Sequence, residues 1–93
     1  MNKIEEQMLA AIREGRSWKS GNTEVDVLLP TNERAVYLHG NHIATVAPDG
    51  SHTTVNKTTL GRWPTNTTKS RLRALGVGVT TVKGTTLLGG EPV

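Results

Sequence analysis

The chain has 93 residues, a net charge of +3, and two Trp, one Tyr and no Phe, so it has room for one small core built on Val, Leu, Ile, Ala and threonine methyls. The absence of cysteine excludes disulfides and thiolate metal sites and fits a reducing cytosol. No apolar run approaches the ~20 residues of a membrane span, and Glu5 and Glu6 stand where a secretory signal would be apolar, so neither a membrane segment nor an export signal is expected.

The first predicted element is a helix over residues 3–14. Asn2 can cap it, and Glu5 sits where the second half of a capping box belongs. Ile4, Met8, Ala11 and Ile12 recur at helical spacing, and Gly15 supplies the left-handed residue that stops the helix. Residues 17–56 read as strands. Trp18 precedes a Ser20-Gly21-Asn22 turn, after which Thr23, Val25, Val27 and Leu29 alternate with Glu24, Asp26 and Leu28. Pro30 to Glu33 interrupts, Ala35 to His39 resumes, and Gly40-Asn41 is expected to form a two-residue type II′ turn. His42 to Ala47 returns, Pro48-Asp49-Gly50-Ser51 turns again, and His52 to Asn56 makes a last short strand.

A second helix is predicted over about residues 67–75. Pro64 holds Trp63 extended, Thr65, Asn66 or Thr67 can cap, and Gly76 closes. Thr68, Leu72 and Leu75 fall on one face, which should meet a β-layer, while Lys69, Arg71 and Arg73 should face water. Trp63 is expected to be buried against this helix. A hairpin over about residues 77–88 follows, turning at Lys83-Gly84, and the tail from Gly89 to Val93 is expected to be loose. The sum is a single α+β domain over residues 1–93: an antiparallel meander and a C-terminal hairpin packed with two short helices.

At this point the residues resemble a known family. Leu38-His39-Gly40-Asn41-His42-Ile43-Ala44, then Arg62-Trp63, then Thr67-Thr68-Lys69-Ser70-Arg71-Leu72 with Ala74-Leu75, is similar to a family of small bacteriophage proteins of uncharacterised function. Its members carry an LHGNxIA segment, a GW or similar step, and a TTKxRLxAL helix. The similarity spans most of the chain. It departs at Arg62-Trp63-Pro64, where Gly-Trp is common, and in a final hairpin without the usual Trp-Tyr pair. The resemblance implies a phage protein acting in the host bacterial cytoplasm and assigns no chemistry.

Charge is unevenly placed. Residues 1–33 carry net −2, whereas residues 56–93 carry six cations against Glu91 alone. A basic half can attract phosphate or an acidic protein surface, or can simply be solvated. Candidate binding residues are Lys57, Arg62, Trp63, Lys69, Arg71 and Arg73, with the threonine-rich start of the second helix offering amides and hydroxyls to an anion. No base-stacking platform is evident. His39, His42, Asp49 and His52 could approach a zinc ligand set, but they are split by turns, and cross-strand histidines are the simpler account. No serine carries a nucleophile-elbow signature, no phosphate-binding loop is present, and Glu24 with Asp26 is more simply a solvated pair. The expectation is therefore a non-enzymatic protein without cofactor or metal. Small phage proteins of this kind commonly dock on a host protein, so the resemblance favours a host-protein partner as an inhibitor or modulator. Nucleic acid is the alternative partner, and edge strands leave self-association open.

Overall fold

The computed structural model describes all 93 residues. Asn2 opens α1 (Lys3–Glu14): its side chain accepts from the Glu5 amide at 2.8 Å, and the Glu5 carboxylate reaches back to the Asn2 amide at 3.5 Å. The reciprocal pair satisfies backbone donors that have no partner inside the helix. At the other end Gly15 adopts φ 65 and lets the chain leave. The Arg34 guanidinium lies against this end, donating from Nε to the Ile12 carbonyl at 2.9 Å and from Nη1 to the Asn32 carbonyl. A cation on the last free carbonyls of a helix is favourable by the macrodipole argument.

Five strands form one antiparallel meander in sequence order: β1 (Trp18–Ser20), β2 (Thr23–Val27), β3 (Arg34–Leu38), β4 (Asn41–Val46) and β5 (Thr53–Val55). Period-two alternation places Thr23 and Val25 on the buried face of β2, and the register sets Val25 opposite Trp18 and Val36. A bulge between β3 and β4 pairs Val36 with Ala44 and Tyr37 with His42, leaving Ile43 as the extra residue. That is why Ile43 and Ala44 are both buried although they are neighbours in sequence. The turn between these strands is His39-Gly40, with φ 52 and 77, rather than the expected Gly40-Asn41. Two successive positive φ values give the type I′ geometry, whose twist matches that of the flanking strands.

Beyond the meander the chain makes α2 (Lys57–Arg62) and α3 (Asn66–Ala74), then a second antiparallel sheet of β6 (Val79–Val82), β7 (Thr85–Leu88) and β8 (Glu91–Pro92). Two of these elements depart from expectation. The six-residue α2 is too short to show periodicity and is signalled only by Asn56, whose side chain accepts from the Thr59 amide at 3.1 Å. The tail is not loose: Gly89 and Gly90 turn it back, Leu88 pairs with Glu91, and the Val93 amide donates to the Thr86 carbonyl at 3.1 Å.

One apolar core joins the elements. Met8 and Ile12 from α1, Val25, Val36, Leu38 and Ile43 from the meander, Leu60 from α2, Leu72 from α3 and Val79 from β6 belong to a single buried cluster. Leu72 is fully enclosed, and Leu75 packs partly buried against the cluster, so α3 presents its leucines to a β-layer as expected. Truncating a side chain as enclosed as Leu72 to alanine costs about 2–5 kcal/mol.

Candidate binding surfaces

The expectation that the cations of the second helix face water needs correction. On α3, Lys69 and Arg71 are buried, and only Arg73 is exposed. Arg71 Nη1 lies 2.8 Å from Glu5 Oε2, its Nε donates to Thr23 Oγ1 at 3.0 Å, and Ser70 Oγ donates to the same Glu5 oxygen at 2.5 Å. Glu5 therefore serves twice, as the capping-box residue of α1 and as the counter-ion of α3. Burial by itself pushes the Glu5 carboxyl up, but the donors Ser70, Arg71 and the Asn2 amide outweigh it and hold the group below its ordinary value. Lys69 Nζ donates to Thr81 Oγ1, and Arg73 Nε donates to the Val79 carbonyl at 2.8 Å. These two residues, four apart on one face, tie α3 to the second sheet. Arg71, on another face, ties it to the first sheet and α1. No buried side-chain polar atom lacks a partner.

The remaining candidate residues lie on and after α2. Lys57 and Arg62 are exposed, and Trp63 is 45 % exposed instead of packed under α3. The Arg62 guanidinium carbon sits 5.0 Å from the Trp63 ring centroid, a cation–π contact at the surface. Beside the indole is a small pocket of about 220 Å³, with Leu38 and Ile43 among its walls and His39, Thr59 and Thr65 at its margin. The structure thus gathers Arg62 and Trp63 at one place, puts Lys57 at the far end of the same helix, and takes Lys69 and Arg71 off the surface.

The histidines take no part in a shared site. Asn56 Oδ1 is committed to capping α2, so its amide nitrogen, 3.2 Å from His42 Nδ1, must donate. His42 Nε2 then carries the proton and donates to Thr45 Oγ1 at 2.8 Å. His39 sits in the β3–β4 turn and His52 next to β5. No group of three His, Asp or Glu residues is placed to hold a metal ion. At Asp49 the turn hydroxyl and amide of Ser51 hold the carboxyl below its ordinary value, which marks a well-made turn.

Sequence spacing gave no hint of an open groove of about 850 Å³ between the two sheets. One bank is β5 with Thr53 and Val55; the other is the turn and strand at Leu88, Glu91 and Pro92; Lys57 stands at the rim. β5 is the last strand of its sheet. The His52 carbonyl and the Asn56 amide bond to β4, so alternation aims the backbone groups of Thr53 and Val55 away from β4. That edge carries no charged side chain, bulge or proline of the kind that blunts free strand edges.

The Kyanoviridae Gp96 protein family matches residues 1–88. This chain belongs to that family of cyanophage proteins. No curated protein and no solved structure shows significant similarity to it. The shared sequence therefore extends from α1 to the end of β7, so the buried Glu5–Arg71 link, the Trp63 surface and the β5 edge all lie within the matched residues. No helix is long and apolar enough to cross a membrane.

Proposed function

We propose that this Gp96 family protein acts without catalysis, as a phage accessory protein that binds a host protein in the bacterial cytoplasm and modulates it. The binding mode that the geometry supports best is addition of an extended segment of the partner to the β5 edge. The observation that carries this reading is the unpaired Thr53–Val55 edge lying open in the groove. An extended backbone bonds to such an edge through main-chain groups, and side-chain pockets then supply selectivity. β5 offers about 10 Å of strand, enough for a short docking segment. β8 is the weaker bank, because Pro92 has no amide to donate.

Nucleic acid is the less supported partner. The helix that raised it turns two of its three cations inward, and the exposed cations Lys57, Arg62, Arg73 and Lys83 are spread over two helices and a hairpin turn. The test is capture from host cells on a tagged copy after nuclease treatment, run in parallel with Thr53→Pro. That substitution removes an outward amide and leaves the β4 ladder intact. One stoichiometric protein held by the wild type and released by Thr53→Pro, with unchanged circular dichroism, is the expected result. Equal retention by both forms rejects the edge. Retention of nucleic acid at low salt, falling steeply as salt rises, would favour the alternative.

A further inference from the structure

The Trp63 surface is separate from the groove and has a different chemistry. Tryptophan and arginine are among the side chains enriched at the energetic centres of protein interfaces, and here Arg62 lies over Trp63, which lines a small pocket with Leu38 and Ile43. The indole is 45 % exposed and forms part of the pocket wall. The pocket holds about 220 Å³, below the range that takes a drug-sized molecule, and so suits a single side chain. Neither α2 nor α3 contains an acidic residue, and none occurs between Asp49 and Glu91. We infer that this pocket receives one apolar side chain from an acidic segment of a protein partner, with Arg62 meeting the flanking carboxylates.

A nucleobase is the competing occupant. One face of the indole is already taken by Arg62, which leaves its other face and the smaller His39 ring for a base to stack on. An aliphatic or phenyl side chain meets the Leu38 and Ile43 walls, whereas a base would bring polar edges to them.

The test uses the full chain and an acetylated, amidated pentapeptide, Glu-Asp-Leu-Asp-Glu, at millimolar concentration. Controls are the same peptide with its leucine replaced by alanine, a version with lysines for the acids, and a short oligothymidine. Two-dimensional NMR follows the Trp63 indole N–H and the Leu38 and Ile43 methyls. Shifts confined to these groups, lost with the alanine and lysine peptides and suppressed by salt, are the expected result. Arg62→Glu should weaken binding about three- to tenfold while leaving the spectrum of the core unchanged. Trp63→Ala, a replacement at a half-exposed site, should abolish the shifts in a folded protein. No shift with the acidic peptide overturns the proposal. So do shifts at Thr53 and Val55 instead of Trp63, and so does a response at Trp63 to oligothymidine but not to peptide.

Discussion

Removing the Arg71 guanidinium tests the central packing claim most directly. In Arg71→Met the apolar stem is kept, but the Glu5 carboxylate, 3 % exposed, loses its charged donor and keeps Ser70 and the Asn2 amide. Thr23 Oγ1, fully buried, loses the Arg71 Nε donor as well. Stranding one member of a buried ion pair costs about 3–5 kcal/mol. A chain of this length has a total stability of roughly 5–14 kcal/mol, so the variant stands near the limit of folding. With a urea dependence of about 1 kcal/mol per molar, the unfolding midpoint should fall by about 3–5 M, or the transition should vanish. Far-ultraviolet circular dichroism in urea reads this directly. The double variant Glu5→Gln with Arg71→Met removes both charges and should recover a large part of the loss, since it is the unpaired charge that is costly. A single-variant loss below about 1 kcal/mol, a surface-pair magnitude, would refute the buried linkage. Acid gives the same information. Because Glu5 is held below its ordinary value of 4.5 when folded, its contribution is fully present above that pH. It is lost as pH falls through the depressed folded value. Wild type should therefore lose stability more steeply below pH 4.5 than Glu5→Gln does.

Three further outcomes are expected. Gly15→Ala should lower stability by more than the ~1 kcal/mol of an ordinary helix-end change, because φ is +65 and the new Cβ would lie 2.5 Å from Arg34 Nη2; thermal unfolding measures it. Asn56→Ala should cost about 1 kcal/mol through the lost cap of α2. It should also free His42 from its fixed tautomer, visible in the imidazole nitrogen shifts. Lys69→Met should raise amide exchange in β6 to β8 while leaving the middle of the meander protected, because the Lys69–Thr81 bond is one of the few polar ties between α3 and the second sheet.

Local chemistry made much of the architecture legible. The Asn2–Glu5 box and Gly15 delimit α1 because a cap and a left-handed stop act over only a few residues. The alternation of Thr23, Val25 and Val27 marks a strand for the same reason, and the Lys83-Gly84 turn has two positive φ values that short loops demand. α2 was hidden because Lys-Thr-Thr-Leu-Gly-Arg contains poor helix formers, and its six residues complete less than two turns; packing of Leu60 into the core holds it. β8 was hidden because a two-residue strand has no period of its own and exists only by pairing with β7.

What the sequence determined by itself, then, is the order of the longer elements, the stops of α1 and α3, and the leucine face of α3. Tertiary structure alone decided the fate of the charged and aromatic side chains. Lys69 and Arg71 read as solvated because an isolated basic helix would solvate them, yet Glu5, 66 positions away in sequence, and Thr81 supply partners that replace water. Trp63 read as buried because it is large and apolar, yet the folded chain leaves the indole at the surface with Arg62 upon it. A side chain's burial depends on partners that folding brings together, and no window of neighbouring residues contains them.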